Sequence, residues 1–354
     1  MSARTLQPPK VIHVSVSARI LMNVEALNMA ETVGNVSRHR KAPVIVSSKQ
    51  GGVSVVYVPA ISGESLAYHY QKLLASIAQT RGLPVTRMDA QGFFMKFSDN
   101  NIIKKYYEDV LSKYNVIEMA EACKVEEAIL KSSVVADVGG FLYTDKLIKR
   151  TSRIRFSYMI PTLDAIESGA AVSYPQLHVR YTPRPEEREQ ALYYVETASA
   201  LYAFTAGLNA SDVAELSLLC EASTDLLTEK KKRVEAAYDA LIALLDGLMF
   251  GAKKSRFSPV WDVITLAVSV SKGSIEFNLS PPHTKNFIAE SVERAGRLVN
   301  VFKDMNVNIY WSSKEDLREP STPSQNVHIE KTTSHTDALM KAKGKLFEYL
   351  APGK

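Results

Sequence analysis

The chain has 354 residues, of which 46% are hydrophobic and 23% are charged. This ordinary globular mixture excludes a disordered or collagen-like chain, and the length predicts one to three domains. The net charge of +5 matters less than where the basic residues cluster, because binding a polyanion needs locally dense positive charge.

We find no sequence signal for membrane insertion, for secretion or for a framework of disulfides. The longest apolar stretches are short, so we expect no membrane-spanning segment, and no signal peptide is evident before the first strand. Cys123 and Cys220 are too few for a disulfide framework or a cysteine zinc site. We predict two buried, inert thiols and a cytoplasmic protein.

The first predicted element is a long β-strand that begins near Ile12. Apolar and polar residues alternate strictly from there to Glu25, which is typical of a strand with one face on the core. The other face carries His13 and Arg19 and is predicted to be open to solvent. It contains no aromatic residue.

The later elements are predicted from periodicity, caps and turn residues. In chain order they are a loop at 28–44, a strand at 53–58, a helix from the N-cap Ser62 to Gly82, a mostly helical stretch at 101–132, a turn and short extended piece at 137–143, strands at 154–160, 174–181 and 192–208, a helix from Thr228 to Phe250, a strand at 263–271, a helix and strand within 291–310, a Pro/Ser/Thr-rich linker at 318–326 and a helix at 336–350. Residues 83–150 form a separate, mostly helical unit. The remaining order is the βαββαβ order of a ferredoxin-like sheet, so the predicted class is α+β.

Common catalytic signatures are absent from the sequence. It contains no Gly-rich nucleotide-binding motif, no H-E-x-x-H and no G-x-S-x-G, and its seven histidines show no helical pairing for a metal. Asp137, Asp145 and Asp164 are scattered. We therefore predict no enzyme site, no metal and no cofactor.

Basic residues, in contrast, are clustered in loops and at the ends of elements. Several such clusters together favour a nucleic-acid phosphate backbone as the ligand, although each alone is also compatible with ordinary solvated surface. The run 230–233 is interpreted as solvated surface. The candidate RNA-binding residues are Asn23, Asn28, Arg38, His39, Arg40, Lys41, Lys149, Arg150, Arg153, Arg155, His178, Arg180, Lys253, Lys254 and Arg256.

Several segments, in order, resemble one family. They are Asn23–Asn28, Glu31–Pro43, Tyr57–Ala67, Asp137–Tyr143, Lys149–Arg153, Phe156–Pro161 and Leu244–Arg256. Together they are similar to the backbone subunit of the archaeal type I-A CRISPR Cascade, the DevR-like class of repeat-associated proteins. The similarity extends over about residues 12–287.

This resemblance implies a modified ferredoxin-like or RNA-recognition-motif palm with an inserted helical finger and a β-hairpin thumb. The implied parts are a palm at 11–82 and 185–310, a finger at 83–150, a thumb at 151–184 and a C-terminal linker and helix at 311–354. It also implies a helical filament of copies along the CRISPR RNA (crRNA), with other Cascade subunits and, through the guide, target DNA as partners in antiviral defence.

The resemblance also implies roles for the basic segments. Residues 28–41 and 149–155 would line the RNA groove, His178 would lie near the thumb, and Lys253, Lys254 and Arg256 would lie at the palm edge. Related subunits of type III complexes carry a catalytic aspartate in the first loop, whereas residues 28–43 contain Glu31 and no aspartate. We therefore expect a non-enzymatic RNA-binding scaffold. An RNA endonuclease with an acidic or histidine site, and a structural oligomer that binds no RNA, are the alternatives.

Overall fold

The computed structural model describes residues 10–47, 51–180, 191–218, 220–247, 250–320 and 325–351 and shows an α+β protein with a mixed β-sheet. The predicted class is therefore confirmed. The strands are β1 (Val11–Glu25), β2 (Met29–Val33), β3 (Val36–His39), β4 (Lys41–Ser47), β5 (Val53–Pro59), β6 (Phe141–Tyr143), β7 (Ile148–Arg150), β8 (Ile154–Phe156), β9 (Ile160–Pro161), β10 (Val172–Arg180), β11 (Ala191–Asn209), β12 (Val260–Gly273), β13 (Asn306–Ser313) and β14 (Val327–Lys331). The helices are α1 (Gly63–Thr80), α2 (Arg87–Ala90), α3 (Asn100–Tyr106), α4 (Glu108–Tyr114), α5 (Ala122–Ser132), α6 (Val134–Gly139), α7 (Leu163–Glu167), α8 (Thr224–Thr228), α9 (Lys230–Asp246), α10 (Phe287–Val301) and α11 (His335–Leu350).

The main sheet has β1 at its centre. Its order is β14-β13-β12-β1-β11-β3-β2, and β8, β9 and β10 pair with β11 along the edge away from β1. β1 is antiparallel to both β12 and β11, whereas β13–β14 and β11–β3 are parallel pairs. Two small two-stranded sheets, β4–β5 and β6–β7, lie outside it.

The apolar face of β1 lies on the main core, as its alternation predicts. Ile12, Val14 and the alternate residues that follow are buried against α1, α9 and α11. Two tyrosines fix the helices to one another: the Tyr70 hydroxyl donates to the Ala237 carbonyl, and the Tyr238 hydroxyl to the Leu339 carbonyl, each at 2.8 Å. A single layer of helices therefore covers this face of the sheet.

The polar face of β1 is buried, so the prediction of an open face is wrong. His13 and Arg19 have no exposed surface, because the chain after β12 crosses them. His13 Nε2 lies 3.0 Å from Asn278 Oδ1, Ser15 Oγ accepts from the Leu279 amide, and Arg19 donates to the Pro282 carbonyl. Polar groups hidden in this way need partners, and the covering segment supplies them.

Other boundaries also differ from the sequence-based prediction. The predicted loop at 28–44 contains β2, β3 and most of β4, and β14 was not predicted. The helix predicted from Thr228 is instead α8 followed by α9, with Glu229 as an N-cap that makes no side-chain cap bond. The N-cap Ser62 is confirmed, since its Oγ accepts from the Ser65 amide at 3.2 Å. Tyr181, at the end of a predicted strand, and residues 321–324 of the predicted linker lie outside the described residues.

A second hydrophobic cluster lies within the helical stretch of the chain. Phe97 and Tyr107 stack at 4.1 Å between ring centres, and Val125 and Ile129 of α5 pack in the same cluster. Cys123 and Cys220 form a disulfide, with 6.3 Å between their Cα atoms, so the prediction of free thiols is wrong. The bond joins α5 to the chain that follows β11.

Candidate nucleic-acid interface

A cleft lies beside the junction of β3 and β4 and brings the first basic cluster together. Its volume is about 590 Å³. The lining residues are Ala30, Glu31, Val36, Arg38, His39, Arg40, Lys41, Pro175 and Glu196. The cleft therefore lies between the β2–β3 hairpin and the β10–β11 hairpin.

Three cations of the cleft differ in how they are held. Arg38 lies 3.5 Å from Glu31, and both side chains are more than half exposed, so this pair is weak and open to competition. Lys41 lies 2.9 Å from Glu196. Arg40 has no carboxylate partner among the described residues, and its Nε is buried without a hydrogen bond. The Arg40 charge therefore has no carboxylate against it in the described part of the chain, so an anion in the cleft would be attracted to it.

Glu196 is fixed by its neighbours and organises the cleft wall. Burial opposes its ionisation, but hydrogen bonds from Lys41, the His39 amide and the Ser173 hydroxyl hold the pKa of Glu196 below its ordinary value. It therefore remains a carboxylate that holds Lys41 at the cleft.

His39 is buried, which argues against the prediction that it contacts RNA directly. Its side chain is fully buried, and Nε2 lies 2.7 Å from Glu25 Oε1, which also has no exposed surface. Its other ring nitrogen, Nδ1, lies 2.9 Å from the Arg40 carbonyl oxygen. His39 thus lies beneath the cleft rather than at its opening.

A second basic group lies near the end of the β10–β11 pairing where β10 ends and β11 begins. His178 stacks on Tyr193, with 5.4 Å between ring centres, and meets the buried Phe257 edge-on at 5.3 Å. Arg256 donates to the Tyr193 hydroxyl. These contacts bring His178 and the segment that carries Lys253, Lys254 and Arg256 to one place, and Tyr193 and Phe257 are members that the sequence did not single out.

The two groups lie close along the same hairpin but on opposite faces of it. Pro175 pairs with Glu196, and His178 pairs with Tyr193, three positions further along. Three residues span about 10 Å of strand, and an odd separation places side chains on opposite faces. Arg180 is the last residue of β10, and its side chain lies outside what the structure describes.

The basic segment 149–155 is divided between surface and interior. Lys149 is exposed on β7. Arg153 is largely buried, 3.7 Å from Asp212, and Arg155 pairs with Glu276. Its cations therefore do not form one row facing solvent.

Arg150 is buried, which argues against its predicted contact with RNA. Its guanidinium pairs with Asp137 and lies 3.2 Å from Glu126, and neither carboxylate has exposed surface. Arg233 contacts the other Asp137 oxygen at 2.9 Å and has no exposed surface, so the solvated-surface interpretation fails for it. Burial alone would raise the pKa of Asp137, but the two arginines hold it below its ordinary value. This cluster is structural.

The two candidate asparagines and the three aspartates named in the sequence analysis lie at separate places in the fold. Asn23 is partly buried opposite Val260 of β12. Asn28 is bound within the protein, since its Oδ1 accepts from the Ser62 amide at 2.7 Å and its carbonyl accepts from the Arg40 amide at 2.9 Å. Asp145 accepts from the Asn100 amide and Asp164 pairs with Arg19, so these two carboxylates share no site with Asp137.

Two other kinds of site are absent from the described residues. No three His, Cys, Asp or Glu residues in that part of the chain are placed to hold a metal ion. None of its helices combines the length and apolar character needed to cross a bilayer.

Comparison with known proteins gives consistent matches over most of the chain. The family described as "CRISPR-associated negative auto-regulator DevR/Csa2" matches residues 16–292. The "CRISPR-associated aCascade subunit Cas7/Csa2 2" of Saccharolobus solfataricus is 37% identical over 308 residues, which is 86% of this chain and 93% of the relative. A second protein of that organism, "CRISPR-associated protein Cas7/Csa2 1", is 38% identical over 76% of this chain and 81% of its own length.

A solved chain titled "CRISPR RNA-guided surveillance complex" aligns over 95% of this chain and 99% of its own, at 11% identity and a TM-score of 0.46. That structural similarity is too low to support a conclusion.

Proposed function

We propose that this chain, which belongs to the CRISPR-associated DevR/Csa2 family, is an RNA-binding backbone subunit of a Cascade complex. Its ligand would be crRNA, held through backbone phosphates. The observation that carries the proposal is the cleft, where Arg38 and Lys41 flank Arg40 and the Arg40 Nε is buried without a partner. Planar guanidinium groups match phosphate oxygens, and contacts of this kind do not read sequence.

The strand order supports a palm of the ferredoxin-like or RNA-recognition-motif kind. β12, β1, β11 and β10 lie side by side and are all antiparallel, and α1 and α9 cover the same face. In chain order this is strand–helix–strand–strand–helix–strand with the sheet order four-one-three-two. We assign 11–82 and 185–310 to the palm, 83–150 to a finger, 151–184 to a thumb whose last strand, β10, continues the palm sheet beside β11, and 311–354 to a C-terminal part.

We further propose that the subunit is not an enzyme. It would hold the guide while copies of itself, other Cascade subunits and target DNA assemble around it in the cytoplasm. Phosphate contacts leave base edges free, which a guide needs for pairing. An endonuclease would instead shorten the RNA, so the same experiment separates the two functions.

The test is binding of a labelled single-stranded repeat RNA by the full-length chain at several salt concentrations. We expect Arg38→Ala, Arg40→Ala and Lys41→Ala together to weaken binding and to lower the salt slope by about 2, from about 0.7 for each lost phosphate contact on a single strand. RNA recovered after incubation with magnesium should remain intact.

The matched control removes three cations from the C-terminal part of the chain. Lys331, Lys341 and Lys345 each pair with a carboxylate and lie beyond the region that the family matches. Their joint replacement by alanine removes the same charge and should leave the slope within error. If both triple variants bind alike, the cleft is not the phosphate site. If the RNA is cut, the scaffold function is wrong.

A further inference from the structure

His39 lies beneath the cleft with both ring nitrogens against oxygen atoms that only accept hydrogen bonds. Nε2 is 2.7 Å from Glu25 Oε1, and Nδ1 is 2.9 Å from the Arg40 carbonyl oxygen. A neutral imidazole carries one N–H, so either tautomer would place a lone pair against one of these oxygens. Only the imidazolium form places an N–H at both contacts, although the Nε2 contact is close without being aligned as a hydrogen bond.

Glu25 accepts a hydrogen bond on each carboxylate oxygen besides its contact with His39. The Tyr202 hydroxyl donates to Glu25 Oε1 at 2.7 Å, and the Leu27 amide donates to Oε2 at 2.7 Å. Burial would lower the pKa of His39, but the close contact and the charge of Glu25, the Arg40 carbonyl and the charge of Glu196 raise it above its ordinary value. The surroundings of His39 therefore favour the imidazolium form more than water does.

The other charged groups around His39 belong to the cleft. Glu196 of β11 accepts from the His39 amide at 2.9 Å, Glu31 lies on the neighbouring β2, and Arg38 and Lys41 lie on either side along the chain. Arg38 and Lys41 oppose the charge on His39, while the carboxylates favour it. The two buried groups in closest contact, Glu25 and His39, form a neutral pair.

Arg40 is attached to this pair through its backbone. Its amide donates to the Asn28 carbonyl at 2.9 Å, and its carbonyl accepts from the Ala60 amide at 2.9 Å as well as facing His39. These contacts fix the direction from which the Arg40 side chain enters the cleft. Of these three contacts, only the one from His39 depends on protonation, and it is lost when the neutral imidazole keeps its single N–H on Nε2, toward the carboxylate of Glu25.

We propose that His39 is a positioning residue that, as an imidazolium, holds Arg40 for phosphate binding and so makes RNA affinity fall as the pH rises. This rests on the proposed function of the cleft. Guanidinium and phosphodiester groups keep their charges between pH 6 and 9, so neither causes such a fall. Because the folded pKa of His39 is raised, the contact is complete below about pH 6.5, the ordinary histidine value, and is lost as the pH rises through the folded value.

The experiment compares RNA affinity at pH 6, 7, 8 and 9 and constant ionic strength for wild type, His39→Gln and the control His328→Gln. His328 also faces a carboxylate, Glu330 at 3.6 Å, but lies on β14 away from the cleft. We expect wild-type affinity to fall about tenfold over this range, the size of one charge-assisted hydrogen bond. His39→Gln should already be weakened at pH 6 and should vary less, with His328→Gln following wild type.

A second variant and a second measurement separate positioning from folding. Glu25→Gln keeps the volume but removes the charge that favours the imidazolium, so the midpoint of the affinity profile should move to lower pH. Thermal unfolding at each pH checks that all variants remain folded. The wild-type salt slope should also fall by about 0.7 between pH 6 and 9, as one phosphate contact is lost.

The possible outcomes separate the role of His39 from the function of the cleft. A flat wild-type profile, or profiles for His39→Gln and Glu25→Gln that parallel wild type, would overturn the positioning role even if the cleft triple variant has lost RNA binding. If that triple variant binds normally, the proposed function of the cleft fails first. Every other histidine is present in both wild type and His39→Gln, so the difference between their profiles isolates His39.

Discussion

Replacing Arg150 with methionine should destabilise the fold without changing the RNA affinity of folded molecules. Arg150 Nε donates to the Asp137 carbonyl at 2.8 Å, and Nη1 donates to the Glu215 carbonyl at 2.7 Å. The guanidinium also contacts the carboxylates of Asp137 and Glu126. A methionine side chain can occupy much of the same space but has no hydrogen-bond donor.

The expected cost follows from what remains behind. Asp137 keeps Arg233 and the Ala214 amide, and Glu126 keeps the Ser217 amide at 2.8 Å, so neither anion is left without partners. Asp137 and Glu126 nevertheless lose the arginine that both of them contact. Breaking a buried ion pair in this way costs about 3–5 kcal/mol of unfolding free energy.

The assay is denaturant unfolding followed by RNA titration of the folded fraction. The neighbouring Lys149→Met is a matched control, because Lys149 is exposed on the same strand and should change the unfolding free energy by less than about 0.5 kcal/mol. A loss below about 1 kcal/mol for Arg150→Met would refute the reasoning, because the carboxylates would then have found other partners. Weakened RNA binding by fully folded Arg150→Met would restore Arg150 as a ligand-binding residue.

Two further substitutions test the same region of the fold by thermal or denaturant unfolding. Gly140→Ala should lower the free energy of unfolding by about 2–4 kcal/mol, because Gly140 has a φ of +71° and a Cβ there would lie 2.5 Å from the Arg150 carbonyl oxygen. The control is Gly34→Ala, where φ is +58° and the Cβ would meet open space, so the loss should be only about 1 kcal/mol. Cys123→Ala with Cys220→Ala should cost about 2–4 kcal/mol, and the denatured, unreduced wild type should contain no free thiol; titration of two thiols would contradict the disulfide.

The parts of the fold that were predictable from sequence depend on local periodicity and caps. Strict alternation placed Ile12 and its alternate residues in the core, and Ser62 marked the start of α1, because both signals lie within a few residues of the chain. The strands between 29 and 47 were missed, since their turn residues and charges are typical of a loop. β3 pairs with β11, which is distant along the chain. β4 pairs with the predicted strand at 53–58, but no local sequence signal indicates that pairing.

The sequence could not predict which of the charged side chains are buried. The segment 149–155 contains neighbouring basic residues, yet Lys149 is exposed while Arg150 is enclosed by Asp137 and Glu126. Those carboxylates are 13 and 24 residues away along the chain, and nothing local indicates that they surround it. The same limit applies to Arg233, whose helical run otherwise resembles solvated surface.

The buried polar face of β1 changes where RNA is expected to bind. Asn278, Leu279 and Pro282 bind His13, Ser15 and Arg19 directly, so the sheet surface in front of β1 is occupied by the chain itself. Access to that surface would require the segment to leave several hydrogen bonds unmade. Besides Lys149 on β7, candidate cations lie at the β3–β4 junction and near the end of the β10–β11 pairing where β10 ends and β11 begins. Contacts of these cations with phosphates would hold the RNA backbone without reading its bases.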